Sequence, residues 1–129
     1  MLNQSGITKT SATAPTQILA DVGMQFSVGC SVAQAAGATV GDKKIAKAGT
    51  PLVVDPSNLQ PAATKGTIAA SAGTANAVLL HDVDVTAGNA NGTALLFGFV
   101  NINRMESDVQ ALYTVTGVNV AGGVTAIKA

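Results

Sequence analysis

The single histidine of the chain, His81, stands beside Asp82 and three residues before Asp84. Imidazole and carboxylate are ligands for divalent metals, so His-Asp-Val-Asp is the stretch whose residue types could do chemistry. On a strand, Asp82 and Asp84 share a face at roughly 7 Å. That spacing is open to acid–base work, cation binding, subunit salt bridges or plain solvation. Strand alternation separates the imidazole from both carboxylates. His81 falls with Leu79, Val83 and Val85, and the two aspartates point the other way. The expectation is a satisfied, partly buried histidine, with no metal site and no cofactor.

Other reactive residue types lead to the same place. Cys30 is the only cysteine, which rules out an internal disulfide. It falls on the apolar face of an alternating segment, whereas a nucleophilic thiolate needs exposure and an electropositive neighbour. Gly88-Asn89-Ala90-Asn91-Gly92 precedes a strand pattern, but a phosphate-binding loop should follow a strand and open a helix. No serine lies in a G-x-S-x-G elbow. With one histidine and no reactive cysteine, no nucleophile–base pair can be assembled, and the expected class is not an enzyme.

The elements that carry these residues read as β. Val78–Thr86 and Thr93–Ile102 are two strand patterns joined by Ala87–Gly92, whose Gly and Asn residues suit a hairpin connection. Met24, Phe26, Val28, Cys30 and Val32 alternate with Gln25, Ser27, Gly29 and Ser31, which predicts a strand with one buried face. Ala33–Gly41 is a loop or weak strand, and Asp42–Lys47 a solvated, lysine-bearing hairpin tip. Gly49–Pro56 holds an apolar run between prolines, the pattern of an edge strand or of a strand bracketed by turns. Ser57–Lys65 reads as a loop and Thr67–Ala70 as a weak strand. Met105, Val109 and Leu112 mark one face of a short helix within Asn103–Thr114, with Asn103 and Glu106 spaced as a capping box. Val124–Ile127 is a closing strand.

Length and composition bound the rest. A chain of 129 residues fits one domain. We expect residues 1–20 to form an extended arm and 21–129 a single β-rich domain. Charged residues make up only 11% and net charge is zero, which leaves little with which to neutralise nucleic-acid phosphates. The same charge-poor surface protects a free monomer badly, a hint of assembly. No apolar run approaches the ~20 residues of a membrane span. Met1–Gln17 lacks a basic start and an apolar stretch, so the expectation is a soluble protein kept in a reducing compartment. That polar segment is either a frayed terminus or an arm that adds a strand to a partner's sheet edge.

Two segments carry a resemblance. KKIAKAGTPLVVDP and AVLLHDVDVTAGNANGTALLFGFVNINRM resemble head decoration and head-fibre proteins of tailed bacteriophages. The likeness is strongest at Gly49–Leu52, Leu79–Thr86 and Gly98–Asn101. The order of parts is similar to the lambda-type capsid decoration protein, with an arm, a T-P-L segment, a hairpin, a late helix and a terminal strand. It covers Lys43–Ala129; Met24–Gly41 has no counterpart in the smallest members.

The resemblance implies a small barrel-like or β-tulip domain, mainly β with one short helix and an extended N-terminal arm. It implies a non-enzymatic cement protein, made in the host cytoplasm and placed on the outer surface of the virion head. Its partners would be the major capsid protein and itself, as a homotrimer near threefold positions, with no nucleic acid and no membrane. The capsid-binding role falls on Asn3, Gln4, Ser5, Gly6, Ile7, Thr8, Lys9 and Thr10. The competing expectation is a carbohydrate- or small-ligand-binding β module at the base of a host-contacting head fibre. Sugar sites use aromatic platforms, and only Tyr113 and three phenylalanines are on hand.

Overall fold

The computed structural model describes residues 18 and 19, 25–68, 74–113, 119–121 and 123–128. In chain order the strands are β1 (Gln25–Val32), β2 (Ala38–Val40), β3 (Lys43–Ala46), β4 (Pro51–Val53), β5 (Thr64–Lys65) and β6 (Ala77–Leu79). Then come β7 (Val83–Asp84), β8 (Ala90–Asn101), the helix α1 (Ser107–Gln110), β9 (Asn119–Ala121) and β10 (Gly123–Ile127). Short 3-10 turns occupy Gln34–Ala36 and Ile102–Arg104. The protein is mainly β, with one short helix.

Everything is hung on β8. At twelve residues it is long enough to take three partners. β1 runs antiparallel along it from Ala90 to Gly98, β6 pairs at Ala94 and Leu95, and β10 runs parallel along Phe97–Asn101. The large sheet continues from β6 through β4 to β5, and from β10 to β9. A small sheet, β2-β3-β7, stands apart.

Two cores follow, one on each face of the large sheet. Between the sheets, Ala46, Val83 and Val85 meet Val32, Leu52, Leu79 and Ala94. On the opposite face, Val78, Leu95, Val100, Val124 and Ala126 are covered by Ile18, Leu19, Ile102, Met105, Val109 and Tyr113. Where a strand is covered on both faces it is apolar at successive positions, which is why Ala94–Leu96 shows no alternation. Ile18 and Leu19 were expected on the arm, but they are fully or almost fully buried and belong to the domain body. The Ile18 carbonyl accepts the Asn101 N–H at 2.7 Å, and Leu19 bridges Val100.

Several expectations are corrected. The strand expected over Val78–Thr86 breaks at Leu80–Asp82: its first part joins β8 in the large sheet, and its second joins β3 in the small one. The hairpin of β6 and β8 survives as only two residue pairs, while β1 supplies eight. β4 is interior, between β5 and β6. Pro51 is tolerated there because it is the first residue of its strand, where a missing donor matters least. Thr64–Lys65, read as part of a loop, is the strand that covers β4. Of the weak strand expected at Thr67–Ala70, Thr67 and Ile68 are in no strand, and the remainder lies outside the described residues. The expected helix shrinks to one turn, capped at Glu106 without a side-chain bond. Asn101, and not Asn103, caps the preceding 3-10 turn by accepting the Asn103 N–H. The apolar face was nonetheless placed correctly, with Met105 and Val109 buried and Leu112 packed against them.

Tyr113 ties this segment to the sheet. Its hydroxyl donates to the Gly49 carbonyl, and burial pushes the phenol far above its ordinary value of 10.0. A raised phenol contributes stability that is intact below pH 10 and is lost as pH climbs through the folded value. Tyr113 is the only tyrosine. Tyrosinate absorbance should therefore stay absent near pH 10 and appear only as the far-UV β signal collapses. A smooth titration near pH 10 in folded protein would show that the hydroxyl is reachable by water.

Candidate functional site

The break at Leu80–Asp82 is where the expected chemistry sits. His81 is exposed there, not partly buried, because the chain leaves the large sheet at Leu80 and turns toward the small one. Among the described residues it has no hydrogen-bond partner. Asp82 Oδ1 accepts the Ala48 N–H at 2.7 Å, so that carboxylate pins the loop before β4. Asp84 Oδ1 accepts the Thr86 N–H at 2.9 Å. The Thr86 hydroxyl and N–H, with Lys43 nearby, hold the Asp84 carboxyl below the usual carboxylate value. Thr86 Oγ1 in turn accepts the Lys44 N–H at 2.8 Å, locking the corner to β3. Both carboxylates thus serve backbone donors on different elements. Among the described residues no group of three His, Cys, Asp or Glu side chains could hold a metal ion.

Cys30 lies in the inter-sheet core at 8% exposure, and burial pushes its thiol up. An undissociated thiol in an apolar wall is a poor nucleophile, as expected. It borders an open hollow of about 470 Å³ with Ser31, Leu59, Gln60 and Asn91. A second hollow of about 410 Å³, between Pro51, Gly66, Ile68, Ala111 and Leu112, has Lys65 as its only ionisable wall residue among the described residues. Neither brings together the convergent polar groups that orient a substrate.

The lysine cluster is split by the fold. The hairpin tip is Gly41–Asp42, and Lys43 and Lys44 already lie on the returning β3. Lys47 reaches instead to Asp108, 2.9 Å away, an ion pair across 61 positions that sequence spacing could not reveal. The pair holds the Asp108 carboxyl below its usual range and raises Lys47. It fixes the helical turn over the loop that leads into β4.

A surface feature also went unread. Phe26 was expected on the buried face of β1, yet it is 59% exposed, and Phe97 opposite it is 49% exposed. The cause is local. Phe26 pairs with Phe97 and Ser27 with Leu95, which leaves Leu96 as an extra residue on β8. Such a bulge exchanges the two sides of a strand. Before it, Leu95 faces the helical turn; after it, Val100 does, and Phe97 and Phe99 move to the opposite side. The small sheet does not reach that end, so burial along β1 fades from Val32 through Val28 to Phe26. The Phe-Gly-Phe spacing within an apolar run was the available signal.

Asn3–Thr10, the expected capsid-binding residues, lie outside the described residues. No family model matches the chain, and neither a curated protein nor a solved structure matches it.

Proposed function

We propose that this chain is a capsid decoration protein of a tailed-phage head, binding the outer surface of the expanded shell as a homotrimer and stabilising it. One observation carries the reading. Two of the three segments behind the resemblance are stitched together by their own backbones, and the third closes the same sheet further along β8. Gly49 N–H donates to the Leu79 carbonyl at 2.7 Å, and Leu79 N–H donates to Thr50 at 2.9 Å. Asn101, which ends the Gly-Phe-Val-Asn step, fastens the chain at Ile18. On this reading these segments belong to the scaffold that cement proteins would have in common.

The role supported by this reading is mechanical. A body with two cores presents the N-terminal segment, and Asn3–Thr10 would add main-chain hydrogen bonds to a sheet edge of the major capsid protein. Three arms on one trimer convert weak single contacts into a stable clamp. The test is co-sedimentation of purified protein with expanded and with unexpanded heads of the phage that encodes it. Saturable binding to expanded heads alone is expected. Failure to bind either form, with the protein folded, would overturn the proposal.

A further inference from the structure

We infer that the Phe26–Phe97–Phe99 face is the surface through which copies of this chain associate. The inference rests on the homo-oligomer part of the proposed function and not on head binding. The chain has three phenylalanines, and all three lie on one face at one end of the large sheet. Phe26 and Phe97 are direct cross-strand partners, and Phe99 follows two residues on, half-buried. Register places Ile127 and Thr125 of β10 beside them on the same side. The Phe97 ring lies over Gly123, where an added Cβ would come 3.2 Å from its Cδ2. The ring thus occupies space that a side chain at position 123 would need, and Phe97 is still 49% exposed.

Size and charge say what the face accepts. A phenylalanine carries roughly 200 Å² of surface, so two half-exposed rings leave about 200 Å² of aromatic area in water. With Phe99, Val28 and Ile127 around them, the patch reaches the few hundred Å² that mark an interaction site. It could form the apolar centre of a standard footprint of about 800 Å² per partner. No charged residue stands among Phe26, Ser27, Val28, Phe97, Phe99 and Ile127. An uncharged apolar surface can meet a copy of itself without like-charge repulsion, and homo-oligomer interfaces are the apolar class.

The strand beneath the rings points the same way. Among the described residues, Phe26–Gly29 pair only with β8, which leaves no described strand along their outer edge. That edge has neither the lysine nor the proline with which free edges are guarded. Residues 1–17 of the same chain are polar, with Leu2 and Ile7 as the only sizeable apolar groups beyond Met1, and match an aromatic face badly.

The experiment compares full-length wild type, the double variant Phe26→Ser/Phe97→Ser and the control Val40→Ser by sedimentation velocity across a dilution series. Val40 is also exposed, at 46%, but belongs to the small sheet. Wild type and the Val40 variant should associate alike. The double variant should associate at least ~100-fold more weakly, since aromatic residues at an interface centre carry most of its energy. Should the double variant misfold, 4-fluorophenylalanine labelling of wild type gives three resonances, all from this face. At least two should change their solvent exposure as the oligomer is diluted to monomer, and unchanged resonances would overturn the inference. So would a double variant that associates like wild type, and head decoration by wild type would still stand. A variant that stays oligomeric and loses head binding would make the capsid the occupant and overturn it too. A wild type monomeric at every concentration would remove both the face and the trimer without touching head binding.

Discussion

Gly49→Ala is expected to destabilise the protein by about 3 kcal/mol, a large part of the roughly 5–15 kcal/mol that holds a domain together. Gly49 has φ +96°, a region where an L side chain costs about 1–2 kcal/mol. A Cβ there would also lie 2.7 Å from Met105 Sδ and 3.0 Å from Val109 Cγ1. Overpacking of that kind costs about 1–3 kcal/mol, with methionine able to give some ground. The backbone cannot move away, because its N–H is bound to Leu79 and its carbonyl to Tyr113. Gly41→Ala is the internal control. Its φ is +64°, but nothing lies within 4 Å of the added carbon, so only the strain of about 1 kcal/mol applies. Urea unfolding followed by Tyr113 fluorescence measures both. Equal losses at the two glycines would mean that the helical turn does not pack on Gly49 as described.

That comparison also shows what sequence could and could not reveal. The alternation of β1 was legible at Val28, Cys30 and Val32, because one apolar face against one polar face leaves a period-two trace. The closing strand and the apolar face of the helical turn were legible for the same kind of reason. Partners were not. Val78–Thr86 looked continuous because its residues all favour extended backbone. It is broken by bonds to residues thirty or more positions away, from Gly49 to Leu79 and from Ala48 to Asp82. The parallel pairing of β10 with β8 leaves no local mark either, and the extra residue at Leu96 reassigns the phenylalanines without altering composition. At the candidate site, the argument that strand geometry parts His81 from the aspartates assumed a strand that ends at Leu79. In the structure each carboxylate instead accepts a backbone N–H, Asp82 from Ala48 and Asp84 from Thr86.

Removing residues 1–16 is expected to abolish binding to expanded heads, weakening it by at least ~100-fold, while leaving the fold and the self-association unchanged. The body should survive because the cut spares Ile18, which is fully buried and fastened to Asn101. The loss should be large because linked contacts gain about 10²–10⁴ in avidity over single ones, and all are deleted together. A finer pair of variants separates an added strand from a side-chain grip. An arm that joins a sheet edge works through main-chain hydrogen bonds, and proline cannot donate one. Thr8→Pro should then weaken head binding strongly, and Thr8→Val, which keeps the N–H and favours extended backbone, should not. Co-sedimentation with expanded heads reads all three proteins. If the truncated protein still saturates heads, the clamp lies on the domain body, and the arm has no part in holding it there.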